Sequence, residues 1–196
     1  MAETSQTSQT SVAVLVSGSG TLLQAILDNQ GAYSVDLVVA DVECPALGRA
    51  RAAGVRAEVV PLEGDRDEWN RQLADMVGDP DIVVSAGFMK IVGEAFLNRF
   101  EGRLINTHPA LLPAFPGAHA VRDALAYGVK VTGTTVHYID AGVDTGEIIA
   151  QRAVDVRAGE TEEDLHERIK EVERALIVDT LNRAETSTTG KVEFPA

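Results

Sequence analysis

Val12 to Val16 is an unbroken apolar run, Val-Ala-Val-Leu-Val, and Ser17-Gly18-Ser19-Gly20 follows it directly. A strand with one wet face alternates apolar and polar residues. A strand covered on both faces does not, and such strands belong to parallel sheets sandwiched between helices. The turn leads into Thr21 to Asn29, where Leu22, Leu23, Ile26 and Leu27 fall at helical spacing and Gly31 ends the element. The pattern then repeats. Val35 to Ala40 predicts a second buried strand, Ala46 to Ala53 a short helix closed by Gly54, and Ala57 to Val60 a third strand. Asp67 to Val77 predicts a helix with Trp69, Leu73 and Met76 on one side, and Ile82 to Ala86 a fourth strand. Strand and helix in strict alternation give an α/β fold of Rossmann type: an open, mostly parallel, twisted sheet with helices on both faces and right-handed crossovers, in a single domain.

The second half continues with a short helix to Arg99, a strand from Leu104 to Thr107, and a helix from His119 to Tyr127 ended by Gly128. Thr134 to Ile139 and Glu147 to Val156 predict two strands around the loop Asp140 to Gly146. Thr161-Glu162-Glu163-Asp164 is a capping box that opens the last helix, with Leu165, Ile169, Val172, Leu176 and Leu181 as its buried stripe. Residues 1–10 read as a disordered polar tail, 11–184 as the domain and 185–196 as a mobile tail. Nothing in the chain approaches the roughly 18 apolar residues of a membrane span. Met1 to Gln9 has no apolar core of a secretory signal. Cys44 is the only cysteine, which excludes an internal disulfide and fits a reducing cytoplasm. A net charge of −13 argues against nucleic acid as a partner, although a few local cations can still hold one small phosphate.

Against this frame, Asn106-Thr107-His108-Pro109 stands out among four histidines. Residues i and i+2 of a strand project to one side, so Asn106 and His108 emerge together at a strand's carboxyl end. Pro109 keeps His108 extended. An amide donor beside an imidazole on stiff backbone suits polarising a carbonyl. Asp144 sits in a glycine-flanked loop. It is a solvated turn residue unless His108 is near, in which case it would orient the ring and favour its charged form. Gly18-Ser19-Gly20 is either a phosphate cradle at a helix amino end or a plain turn. Leu23 stands where a dinucleotide fingerprint needs its third glycine. Phe88-Met89, past the fourth strand, serves as core or as one wall of a ring-binding slot. Lys170 and Glu173, a helical turn apart, read by default as a solvated ion pair. His137, inside an apolar strand, reads as a satisfied core histidine, His119 as a surface or capping residue and His166 as solvated. No His-x-x-x-His or cysteine pair supports a metal site, and no Gly-x-Ser-x-Gly supports a serine hydrolase.

Taken together, Val-Ser-Gly-Ser-Gly-Thr, Ala86-Gly87-Phe88-Met89-Lys90-Ile91, Asn106 through Pro113, Pro116-Gly117, Gly133 through His137 and Asp140 through Gly146 resemble the folate-dependent phosphoribosylglycinamide formyltransferase family. The likeness runs from about Val12 to about Arg183. It implies formyl transfer from 10-formyltetrahydrofolate to glycinamide ribonucleotide in purine synthesis, in the cytoplasm, with small-molecule partners, no metal, no membrane, and a homodimer left open. By resemblance the catalytic residues are Asn106, His108 and Asp144. The ribonucleotide falls to Gly20, Thr21, Leu22, Arg66, Gly87, Lys170 and Glu173. The folate falls to Met89, Lys90, Ile91, Val92 and Asn106, and to Asp140, Ala141, Gly142, Val143 and Asp144. The chain departs from the family's usual pattern in three places. Thr21-Leu22 stands for Ser-Asn, Lys90 for arginine, and Lys170 for a neutral glutamine. A formyltetrahydrofolate hydrolase, a methionyl-tRNA formyltransferase, a nicotinamide oxidoreductase and a non-catalytic nucleotide-binding module are the competing readings.

Overall fold

The computed structural model describes residues 9–186 and 192–195. In chain order the elements are β1 (Thr10–Val16), α1 (Thr21–Asp28), β2 (Tyr33–Ala40), α2 (Pro45–Ala52), β3 (Arg56–Val59), α3 (Arg66–Val77) and β4 (Ile82–Ser85). Then come α4 (Glu94–Arg99), β5 (Leu104–His108), α5 (Ala120–Tyr127), β6 (Val131–Tyr138), β7 (Ile148–Asp155) and α6 (Glu162–Asn182). A short hairpin, β8 (Glu185–Thr186) with β9 (Val192–Glu193), closes the chain. The main sheet runs β3-β2-β1-β4-β5-β6-β7. Its first five strands are parallel, while β6 is antiparallel to β5 and β7 to β6.

The apolar runs do what continuous hydrophobicity demands. Val12, Val14 and Val16 of β1 face α1, α2 and α6, and Ala13 and Leu15 face α3 and α4. Trp69, Leu73, Phe96 and Phe100 fill the second face and are at most 1% exposed. Truncating one such side chain, as in Leu15→Ala, costs about 2–5 kcal/mol. Capping is local and legible. Asp65 accepts from the Glu68 N–H at the start of α3, and Thr161 from the Asp164 N–H at the start of α6. No side chain caps the first N–H groups of α1. Gly20 before it has φ +72, and a Cβ there would lie 2.6 Å from the Ala46 Cβ, so α2 can approach only a glycine.

Two boundaries differ from expectation. Thr10 belongs to β1, its N–H donating to Ala32 O, and Gln9 Nε2 donates to Gly31 O, while residues 1–8 of the proposed amino-terminal tail lie outside the described residues. The segment read as a mobile carboxy-terminal tail (185–196) is, where described, tied to the domain. Val192 is fully buried, its N–H donates to Gly102 O, and its carbonyl accepts from the Tyr138 hydroxyl. Phe194 packs on the Tyr138 ring at 6.1 Å.

Candidate active site

The site forms where the sheet changes from parallel to antiparallel. β5 arrives with Asn106 and His108 pointing the same way, as a strand must place i and i+2. β6 returns beside it in a register that sets Asn106 directly opposite His137 and His108 opposite Thr135. Directly opposed residues are close enough for their side chains to meet, and these do. The Asn106 Nδ2 lies 3.3 Å from His137 Nε2. His137 Nδ1 is 2.8 Å from Tyr138 O, and a carbonyl can only accept, so Nδ1 carries the proton. Nε2 is then a lone pair that receives the Asn106 amide. Burial holds the His137 pKa below the usual imidazole value, opposed by the Tyr138 carbonyl and by Asp144. A neutral ring is what this geometry requires.

His137 therefore does not fit the reading of a merely satisfied core histidine. It is buried, at 2% exposure, but it faces the site. Its apolar neighbours in sequence hid it. The sequence signal that could have found it is its place in the stretch Gly133 through His137, one of those that carry the resemblance.

Asp144 comes from the β6–β7 loop and is half-buried. Its Oδ2 stands 3.3 Å from His108 Nδ1 and accepts the Gly117 N–H at 2.8 Å, and its Oδ1 stands 3.6 Å from His137 Nε2. On its other side His108 Nε2 donates to Phe115 O at 2.8 Å. Both His108 nitrogens thus face oxygen acceptors. The Phe115 carbonyl reaches this position from a residue at φ +54. The loop carrying it is held on β6 and β7: Leu112 N–H donates to Thr135 Oγ1, and Gln151 Nε2 donates to Leu112 O.

A cavity of about 190 Å³ opens in front of these groups. Asn106, His137 and Asp144 line it, with Lys90, Ile91 and Val92 on one wall and Asp140 through Val143 on the other. Phe88 also lines it and stacks on Trp69, so it is both core and wall. Met89 and Ile91 are exposed, 78% and 71%, at the mouth. The Met89 N–H donates to Ser17 Oγ, and the Lys90 ammonium lies 3.4 Å from the buried Asp41 carboxylate. Of the expected folate residues all but Met89 thus line one cavity, and Asn106 and Asp144, also expected to be catalytic, are among them. His108 lies behind Asp144, its donor covered by Phe115 O.

The expected ribonucleotide residues split between the two faces of the sheet. α1 and α6 pack on one face, which places Thr21 and Leu22 on the same side as Lys170 and Glu173. The Glu173 carboxyl is hydrogen-bonded to Thr107, and burial, only partly offset by that bond, pushes its pKa up. It is not the solvated partner of Lys170. Lys170 instead pairs with Glu167 at 2.7 Å. Gly87, at φ +73, follows β4. Arg66 does not join this group. It begins α3, on the opposite face, and its Nη2 donates to Ile91 O at 2.6 Å, in the wall of the cavity. Among the described residues no group of three or more His, Cys, Asp and Glu side chains comes together to hold a metal ion. No described helix is long and apolar enough to cross a membrane.

Comparison with known proteins bears on this geometry. The formyl transferase family matches residues 10–181. Phosphoribosylglycinamide formyltransferase of Mycobacterium tuberculosis (strain H37Rv) is 55% identical over 172 residues, covering 84% of this chain and 80% of that protein. The protein of that name from Escherichia coli (strain K12) is 39% identical over 175 residues, covering 84% and 82%. The crystal structure of glycinamide ribonucleotide transformylase 1 from Symbiobacterium toebii superposes with a TM-score of 0.87 at 39% identity, covering 96% of this chain and 95% of that one.

Proposed function

Because this chain belongs to the formyl transferase family, we propose that it transfers the formyl group of 10-formyltetrahydrofolate to the primary amine of glycinamide ribonucleotide, in the cytoplasm, as a step of purine biosynthesis. One observation carries the reading: an amide donor, a carboxylate and a buried neutral imidazole from two separate segments converge on one cavity. The relatives' names supply the formyl group and its ribonucleotide acceptor, and the folate donor is what the resemblance implies.

In this reading the amine nitrogen attacks the formyl carbon, and the carbonyl electron pair moves onto oxygen. The Asn106 amide has one N–H committed to His137 and a second available for that oxygen. His108, oriented by Asp144, exchanges the Phe115 carbonyl for the same oxygen and delivers a proton to the departing folate nitrogen as its carbon–nitrogen bond breaks. Asp144 receives, through water, the proton that the attacking amine gives up. One preorganised oxyanion donor is worth about 3–4 kcal/mol, and positioned acid–base transfer about 10²–10⁴ in rate. Alignment of the two substrates supplies much of the remainder.

The ribose phosphate sits on the uncapped N–H groups of Thr21 and Leu22, where the positive end of α1 points. Glu173 receives the amine end. The Met89 to Val92 and Asp140 to Asp144 segments flank the pterin. Arg66, bonded to Ile91 O, acts on the folate side rather than on the ribonucleotide.

The test is to incubate the protein with 10-formyltetrahydrofolate, with and without glycinamide ribonucleotide. Tetrahydrofolate released only with the amine supports the transferase. Release without it means a hydrolase, and no release in either case refutes formyl transfer.

A further inference from the structure

Asp144 can meet His108 only if its loop holds an unusual shape. Its φ is +54, in the left-handed region that side chains other than glycine enter at a cost. The loop has few buried contacts to hold it there, since Ala141, Gly142, Val143 and Thr145 are all exposed. What closes it is a polar clasp. Asp140 Oδ1 accepts from the Gly142 N–H at 3.0 Å and from the Thr145 hydroxyl at 2.6 Å. The second distance is that of a charge-assisted O–H···O⁻ bond.

The surrounding backbone is built around this clasp. A Cβ at residue 142 would lie 2.0 Å from Thr145 Oγ1, so the hydroxyl occupies the space a side chain would need. A Cβ at residue 146 would lie 1.8 Å from Tyr138 O, so the far end of the loop is pressed onto the end of β6. Thr145 follows Asp144 directly in the chain. Tying its side chain back across five residues fixes the peptide between them, and with it the direction of the Asp144 carboxylate.

We infer that Thr145 is a positioning residue: through Asp140 its hydroxyl holds the Asp144 carboxylate against His108 and the Gly117 N–H. The inference rests on the role proposed above for Asp144, and it gives a role to a residue that the sequence analysis left without one. Thr145 touches no reacting atom in this account.

Thr145→Val removes the hydroxyl and keeps the shape; Thr145→Ser keeps the hydroxyl and loses only a methyl group. Thr145→Val is expected to lower kcat for formyl transfer about threefold to tenfold, the rate equivalent of one hydrogen bond, with KM for the amine substrate little changed. Thr145→Ser should restore kcat to within about twofold of the parent. An independent readout does not depend on turnover. The Gly117 amide proton, bonded to Asp144 Oδ2, should move upfield in the NMR spectrum of Thr145→Val and stay in place in Thr145→Ser. If the Gly117 resonance is unmoved in Thr145→Val, or if Thr145→Ser loses as much as Thr145→Val, the clasp does not position Asp144. A parent protein inactive in formyl transfer would instead sink the proposed function, and the Gly117 resonance would still decide the role of Thr145.

Discussion

The two ends of the sheet solve different problems. In the parallel part, β1 and β4 present backbone: the start of α1, which no side chain caps, and the Gly87 turn. In the antiparallel part, β5 and β6 present side chains: Asn106, His108 and His137, with Asp144 from the loop that follows. Parallel strands all end on one edge, so their loops make a common rim suited to holding ligands. A reversed neighbour adds cross-strand side-chain pairs, and these can fix a tautomer or the face of an amide. The comparison teaches that binding can rest on main chain, while proton and oxyanion chemistry needs side chains locked from two directions.

If the division is right, substitutions at the antiparallel end should lower turnover and those at the parallel end should alter affinity. The largest effects are expected from Asn106→Ala and His108→Ala, each lowering kcat by about 10²–10⁴ with unchanged circular dichroism. Steady-state kinetics giving near-parental kcat in either would break the comparison at its strongest point. His137→Leu is next, at about tenfold or more in kcat, because the Asn106 amide loses the acceptor that orients it. Glutamine at 137 should recover part of the loss if an acceptor is what matters.

Arg66→Ala sharpens the other side. It should raise KM for 10-formyltetrahydrofolate several-fold, about the worth of one charged hydrogen bond, with a smaller change for the ribonucleotide. The opposite ranking would return Arg66 to the ribonucleotide.

The smallest effect concerns stability. Burial raises the Glu173 pKa, so the folded state binds that proton more tightly than the unfolded chain. Stability from this group is therefore greatest below the ordinary carboxylate value and falls as pH rises through the folded one. Glu173→Gln should raise Tm at pH 7 and give no such gain near pH 4, as calorimetry at the two pH values can show. An equal gain at both would mean that the carboxylate is not the source.

Much of this was legible in the chain. Val12 to Val16, Val35 to Ala40 and Ile82 to Ala86 could be read as buried parallel strands because continuous apolarity has few other uses. Asn106 and His108 were visible because Pro109 and the strand period tie their directions together. His137 was not, since a core histidine and a working one share the same apolar neighbours until register is known. Arg66 was assigned by resemblance to the ribonucleotide, but nothing in a linear sequence says which face of a sheet a helix will cover. The nearness of Asp144 to His108 depends on a loop, and loop shape follows from contacts such as Thr145 with Asp140 that no periodicity encodes.

The closing hairpin has a practical consequence. Tyr138 gives its carbonyl to His137 Nδ1 while its hydroxyl is received by Val192 and its ring by Phe194. The last residues of the chain are thus two bonds removed from the imidazole that orients Asn106. Removing residues 192–195 is therefore expected to loosen the Tyr138 carbonyl that holds His137, a change that the kcat of formyl transfer would report.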